Sequence, residues 1–257
     1  MHIFTLQIGN FTLAPTWYGL MYALGFLIGF LFLRANIQWK DKKHLDSLLF
    51  FVFLSVILGG RIGYILLYNL DFYIQNPLEI ISIWNGGMSF HGGFLGVLIG
   101  VYIFCKKYSY KYWDIMDIIA VIVPIALGLG RIGNWINGEL PGYAIYRGPL
   151  PMMQNGVPHF PSPLFEMLLE GIILFGVLFT LFKLIPQKVG TGFLSSIFLI
   201  GYGLARLIAE QFRLPDIHIG YLFDTNWITL GMIYTIPMII AGILLLIFSL
   251  QKKTQSI

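Results

Sequence analysis

Apolar residues in this chain run on for whole membrane widths, and polar ones fall in short clusters between them. Stretches near 17–33, 48–68, 89–105, 115–133, 164–185, 192–210 and 230–250 are almost free of charge. At about 1.5 Å of rise per residue, each is long enough to cross the roughly 30 Å hydrocarbon core of a bilayer as a helix. The pattern predicts an all-α integral membrane protein with about seven transmembrane helices. It shows no linker and no low-complexity stretch, so residues 1–257 read as a single polytopic membrane domain.

Charge then orients the spans. Of 16 Lys and Arg, eleven fall in alternate connections: Arg34, Lys40, Lys42 and Lys43; Lys106, Lys107 and Lys111; Lys183 and Lys188; Lys252 and Lys253. The intervening connections hold Arg147 and Arg213. Cytoplasmic loops collect Lys and Arg, which places the N-terminus outside and the C-terminus in the cytoplasm. Trp17, Trp84, Trp135, Tyr143 and Trp227 fall at the outer interface, with Trp39, Tyr108, Tyr110 and Trp113 at the inner one.

Composition agrees: 57% of residues are hydrophobic and 11% charged, against roughly 25% charged in a soluble domain. The net charge of +4 would suit nucleic acid, but the basic residues are spent on topology, so the expected partner is the bilayer and no nucleic acid. The first ten residues carry no Lys or Arg, and no cleavable signal peptide is expected. The single cysteine, Cys105, rules out an intramolecular disulfide and reads as a packing residue.

Three arginines remain, Arg61, Arg131 and Arg206, each inside an apolar span. Counted from the cytoplasmic ends near Leu48, Ile115 and Phe193, they lie about 20, 24 and 20 Å up the helix, in the outer third of the membrane. A charge there costs at least a few kcal/mol and normally marks a site. The plainer alternative is that each snorkels to the interface or pairs structurally with an acid.

Gly-Arg-Ile-Gly occurs at 60–63 and again at 130–133, and its glycines allow close approach of a helix or a lipid. The second copy continues through Asn134 and Asn137 to Glu139, a polar cluster that needs a polar cavity at this depth. His91, in Gly86-Gly87-Met88-Ser89-Phe90-His91-Gly92-Gly93, falls at a helix N-terminus, where it is either a proton acceptor or an interfacial histidine bonded to a carbonyl. His2, His44, His159 and His218 read as surface or loop residues. Arg206, Glu210 and Arg213 share one helical face, and Glu166 and Glu170 form an i,i+4 pair on another. Tyr18 starts the first span as a belt tyrosine or a site residue. Together these residues predict a cationic, polar pocket open to the outer leaflet, with no metal-ligand cluster and no cofactor.

At these residues the chain resembles the bacterial prolipoprotein diacylglyceryl transferases (phosphatidylglycerol–prolipoprotein diacylglyceryl transferases). The blocks are Trp17-Tyr18-Gly19-Leu20-Met21-Tyr22, Gly59-Gly60-Arg61-Ile62-Gly63-Tyr64, the run from Asn85 through His91 to Gly93, and Gly130-Arg131-Ile132-Gly133-Asn134. Asn137-Gly138-Glu139-Leu140, Pro161-Ser162 with Leu164, Glu166, Glu170-Gly171, Gly201-Tyr202-Gly203, Arg206, Glu210 and Phe212-Arg213 complete them in order. The resemblance implies a seven-span enzyme of the bacterial plasma (inner) membrane with a small extracytoplasmic cap. It implies transfer of the diacylglyceryl group of phosphatidylglycerol to the lipobox cysteine of a prolipoprotein signal peptide, with release of glycerol phosphate. Implied catalytic positions are Tyr18, His91, Arg131 and Arg206; implied binding positions are Arg131, Asn134, Gly142 and Arg206, with Glu139 and Glu210 supporting, and Arg61 joins the expected binding set by its depth in the span. Two departures stand out: the segment between Gly142 and Pro161 is short, and Phe160 occupies a place where some members carry His, so no role passes to His159.

The chemistry suits these residues. A cysteine thiol, with an ordinary pKa of about 8.5, needs a base or a positive field, and the leaving phosphate needs a cationic clamp. Three other readings compete. A transporter would need a polar path to the cytoplasm, yet the inner halves of the spans are apolar. An intramembrane protease would need a serine nucleophile or paired aspartates at depth, whereas Asp114 and Asp117 sit at a cytoplasmic end. A purely structural protein leaves the gathered charges unexplained.

Overall fold

A computed structural model describes residues 3–8, 11–83, 86–215, 220–223 and 225–251. His2, Trp84, Asn85, His218, Lys252 and Lys253, all used in reading the sequence, lie outside the described residues. The chain is mostly helical. Its helices are α1 Trp17–Asn36, α2 Lys43–Tyr68, α3 Leu70–Gln75, α4 Phe90–Tyr108, α5 Tyr112–Asn137, α6 Ser162–Leu184, α7 Phe193–Glu210 and α8 Leu230–Gln251. Among the described residues six of these, α1, α2 and α5 to α8, are long and apolar enough to cross a membrane. Helix α4 stands where a third span is expected and has 19 residues. Its polar start at Ser89 and His91 and its close at Lys106 and Lys107 dilute its apolar stretch.

Two small antiparallel hairpins complete the fold: Leu6–Ile8 pairs with Phe11–Leu13, and Met152–Gln154 with Val157–His159. Contacts divide the chain into two compact units, Met1–Ala35 with Asp117–Ile257, and Asn36–Met116.

In the first unit, the core is a three-helix contact of Ala120 and Val121 on α5, Leu174 and Leu178 on α6, and Leu194, Phe198 and Tyr202 on α7. Helices α5 and α6 come close because both present glycine: a Cβ on Gly171 would lie 2.9 Å from Gly128 Cα. At this contact α6 widens to π geometry over Met167–Ile173, the kind of bulge that often re-aims side chains at functional sites. At the opposite end of α5, buried Asp117 anchors the start of α7. It accepts N–H bonds from Gly190, Gly192 and Ser195 at 2.9–3.0 Å and the Ser195 hydroxyl at 2.7 Å.

In the second unit, α2 and α4 pack backbone to backbone. A Cβ on Gly59 would lie 2.3 Å from Gly92 O, on Gly63 2.6 Å from Gly92 Cα, and on Gly96 2.1 Å from Ser55 O. The glycines around the first Gly-Arg-Ile-Gly therefore serve a helix–helix contact.

Candidate active site

The first unit gathers its intramembrane charges into one cluster. Arg131, near the end of α5, sets Nη1 2.8 Å from Glu166 Oε2 and donates Nε and Nη2 to Glu170 Oε2 at 3.3 and 3.1 Å. Arg206, one turn before the end of α7, sets Nη1 3.0 Å from the same Glu166 oxygen and 3.5 Å from Glu170 Oε1. Its Nη2 pairs with Glu210. Glu210 is further held by the Thr229 hydroxyl at 2.7 Å and by Arg213 at 3.7 Å. Gly231 leaves the carboxylate room, since a Cβ there would lie 2.7 Å from Glu210 Oε1. A concavity lined by Arg206, Glu210, Arg213 and Thr229 opens beside this pair.

Glu166 and Glu170 are fully buried, while the side chains of Arg131 and Arg206 stay 17% and 12% exposed. Three arginines thus meet three glutamates. The expected cationic pocket is, in this arrangement, a charge-balanced cluster, because Glu166 and Glu170, the i,i+4 pair, point at both arginines. The π turns of α6 and the Gly128–Gly171 contact bring them there. Ion pairs taken out of water survive only when closely matched, and among the described residues one site oxygen, Glu166 Oε1, is buried without a hydrogen-bond partner.

Beyond Arg131 the chain folds back on itself. Asn134 and Asn137 donate their amides to the two oxygens of Glu139 at 2.7 and 3.1 Å, and Glu139 N–H returns to Asn134 O at 2.9 Å. Gly138 and Leu140 turn the backbone with φ of +73° and +60°. The turn is pinned by Ser162 Oγ on Leu140 O at 2.5 Å and by Gln154 of the second hairpin on Gly138 O at 3.1 Å. Gly142 donates to Phe160 O at 2.8 Å, and a Cβ there would lie 2.4 Å from Phe212 O. Its requirement for glycine is steric. Tyr18 lies on Gly133, where a Cβ would meet its ring at 2.8 Å, and shares a 2.9 Å hydroxyl bond with Tyr22.

Arg61 and His91 belong to the second unit. The expectation that Arg61 binds substrate meets a different geometry. Its five N–H groups go to five backbone carbonyls: Nε to Ile80 at 2.9 Å, Nη1 to Gly86 and Gly87 at 2.5 and 3.2 Å, and Nη2 to Glu79 and to Ser82 at 3.2 Å. It is 4% exposed and stacks over Tyr73 at 5.0 Å. A guanidinium so engaged has no donor left for a phosphate. His91 lies in the first turn of α4, behind Ser89, whose hydroxyl accepts Gly92 N–H at 3.3 Å.

The sequence places Glu166, Glu170 and Arg213 among the polar residues at this depth without pairing them to Arg131 and Arg206, and it gives no role to Thr229, which the cluster contains. The available signal was depth: Arg131 and Arg206 lie at the level of Glu166, Glu170 and Glu210 in apolar spans, where charges pair.

These features define a polytopic membrane protein with a buried arginine–glutamate centre. The family model for prolipoprotein diacylglyceryl transferase matches residues 4–248. The phosphatidylglycerol–prolipoprotein diacylglyceryl transferase of Francisella tularensis subsp. holarctica is 44% identical over 98% of this chain and 94% of its own length. Those of subsp. mediasiatica and subsp. novicida are 45% and 44% identical over the same shares. The chain belongs to the prolipoprotein diacylglyceryl transferase family.

Proposed function

We propose that this chain moves the diacylglyceryl group of phosphatidylglycerol onto the lipobox cysteine of a prolipoprotein signal peptide, the first step of lipoprotein maturation. It works in the bacterial plasma membrane, with seven spans, its N-terminus outside, a small extracytoplasmic cap, and its site toward the outer leaflet. Near-complete coverage of relatives named for this reaction supports the reading, and the Arg131–Arg206 cluster carries its chemistry.

The thiol sulfur attacks the glyceryl carbon that bears the phosphate. A C–S bond forms, the C–O bond breaks with its electron pair going to phosphate, and glycerol phosphate leaves. Among the described residues, Glu166 and Glu170 engage three of the five N–H groups of Arg131. The other two, with Arg206, clamp the phosphate as charge develops. Glu210 orients Arg206, the Glu139 loop and Tyr18 place the head group, and His91 takes the thiol proton.

The test incubates purified protein in mixed micelles with phosphatidylglycerol and a lipobox peptide, with and without its cysteine. A cysteine-dependent thioether product and released glycerol phosphate are expected, and absence of both overturns the assignment. Near-normal turnover by His91→Gln removes the histidine from the proton's path and leaves activation to the arginine field.

A further inference from the structure

Arg61 holds no donor for a substrate phosphate, yet a buried guanidinium is a costly way to fill space. Its partners define what it does. All five are carbonyls of residues 79–82 and 86–87, which precede α4. Gly86 and Gly87, with φ of +83° and +78°, sit in the left-handed region, and both carbonyls accept from Nη1. The neighbouring Gly60 accepts a further bond from Ser89 N–H at 2.8 Å, and Ser89 in turn caps α4 through Gly92. One turn of α2 therefore holds Gly86, Gly87 and Ser89, the residues just before α4, and Ser89 lies two residues before His91.

We propose that Arg61 is a positioning residue for His91: it holds residues 79–82 and 86–87 ahead of α4 and so sets where the first turn of α4 presents the imidazole. The inference rests on His91 being the proton acceptor of the transfer reaction. Lysine cannot replace this arginine, since an ammonium offers three donors from one point where five carbonyls require a planar fork. The same lock can be opened from its other side. A Cβ on Gly87 would meet Tyr64 at 2.6 Å and Arg61 Nη1 at 3.0 Å, on a backbone that already disfavours a side chain.

The experiment measures kcat and the apparent KM for phosphatidylglycerol of full-length R61K, G87A and the double variant, with thermal unfolding of each in detergent. Both single variants are expected to lose about a hundredfold in kcat, the scale of an ångström misplacement of a reacting group, with KM within about twofold of wild type. The double variant should be no slower than the worse single, as for two changes to one contact. A raised KM with unchanged kcat would make Arg61 a phosphate ligand and overturn the proposal. Unchanged kcat, or additive losses in the double variant, also overturn it. Should R61K not fold, G87A, which keeps the arginine, carries the same expectation. His91→Gln run alongside separates the layers: near-normal turnover defeats the positioning role, whereas no product from wild type defeats the transferase reading itself.

Discussion

Glu170→Gln deletes one charge from a cluster in which three arginines face three glutamates. Its carboxylate receives Nε and Nη2 of Arg131 at 3.3 and 3.1 Å and lies 3.5 Å from Arg206 Nη1, with no exposed area through which water could substitute. Removing one partner of a buried pair costs about 3–5 kcal/mol, because the remaining charge stays buried and uncompensated. Glutamine retains a neutral oxygen for one guanidinium contact, which places the loss at the low end, about 3 kcal/mol. That is a melting temperature lower by about 6–12 °C for a chain of this size. The companion variant Arg131→Met/Glu170→Met removes a matched pair and leaves Arg206 and Arg213 with Glu166 and Glu210. Apolar replacement of a whole pair is often neutral, so the double variant should melt well above the single one while forming no thioether product. Thermal unfolding in detergent, followed by tryptophan fluorescence, reads both. A single variant within about 2 °C of wild type, or a double variant that melts below it, would refute the charge-balance reasoning.

Asp117→Ala strips the acceptor from three backbone N–H groups and one hydroxyl at the start of α7. Each orphaned buried donor costs about 1–3 kcal/mol, so the folded yield should collapse, while Asp117→Asn, which keeps one oxygen, should lose less in the same melt. Gly92→Ala puts a Cβ 2.2 Å from Gly59 O, a backbone atom that cannot yield, whereas Gly29 has nothing within 4 Å of its Cβ position. Gly92→Ala should therefore lower the melting temperature by several degrees and Gly29→Ala should leave it unchanged; equal melts would contradict the tight α2–α4 contact.

The long helices were legible because apolar length is a direct physical constraint, and each of the seven apolar runs is matched by a helix within a few residues. What escaped was local. Helix α2 begins at Lys43, five residues before the apolar run expected from Leu48, since a charged first turn leaves no hydropathy signal. The short helix Leu70–Gln75 and the three-residue hairpin strands are below the length at which a period can be read. The π turns of Met167–Ile173 are invisible because their residues would suit an ordinary helix, and with them went the direction of Glu166 and Glu170. At the site, Arg131, Arg206 and Glu210 were legible as charges at one depth, and the structure joins them. Arg61 satisfied the same criterion, and its N–H groups go to backbone carbonyls, because depth in a span says nothing about which partners a guanidinium finds. In sequence Asp117 reads as a helix-end acid, yet four hydrogen bonds make it an anchor, and those partners come from more than seventy residues away.

The central claim is that Arg131 and Arg206, oriented by Glu166, Glu170 and Glu210, stabilise the departing phosphate. Glycerol phosphate release by Arg206→Lys, at saturating lipobox peptide and phosphatidylglycerol, tests it most directly. Lysine keeps the charge but cannot span Glu166 and Glu210 together while still offering donors to a phosphate. The account requires a fall of at least about a hundredfold, the scale of losing one oriented donor to a developing charge, in protein that remains folded. Release within about twofold of wild type would contradict it.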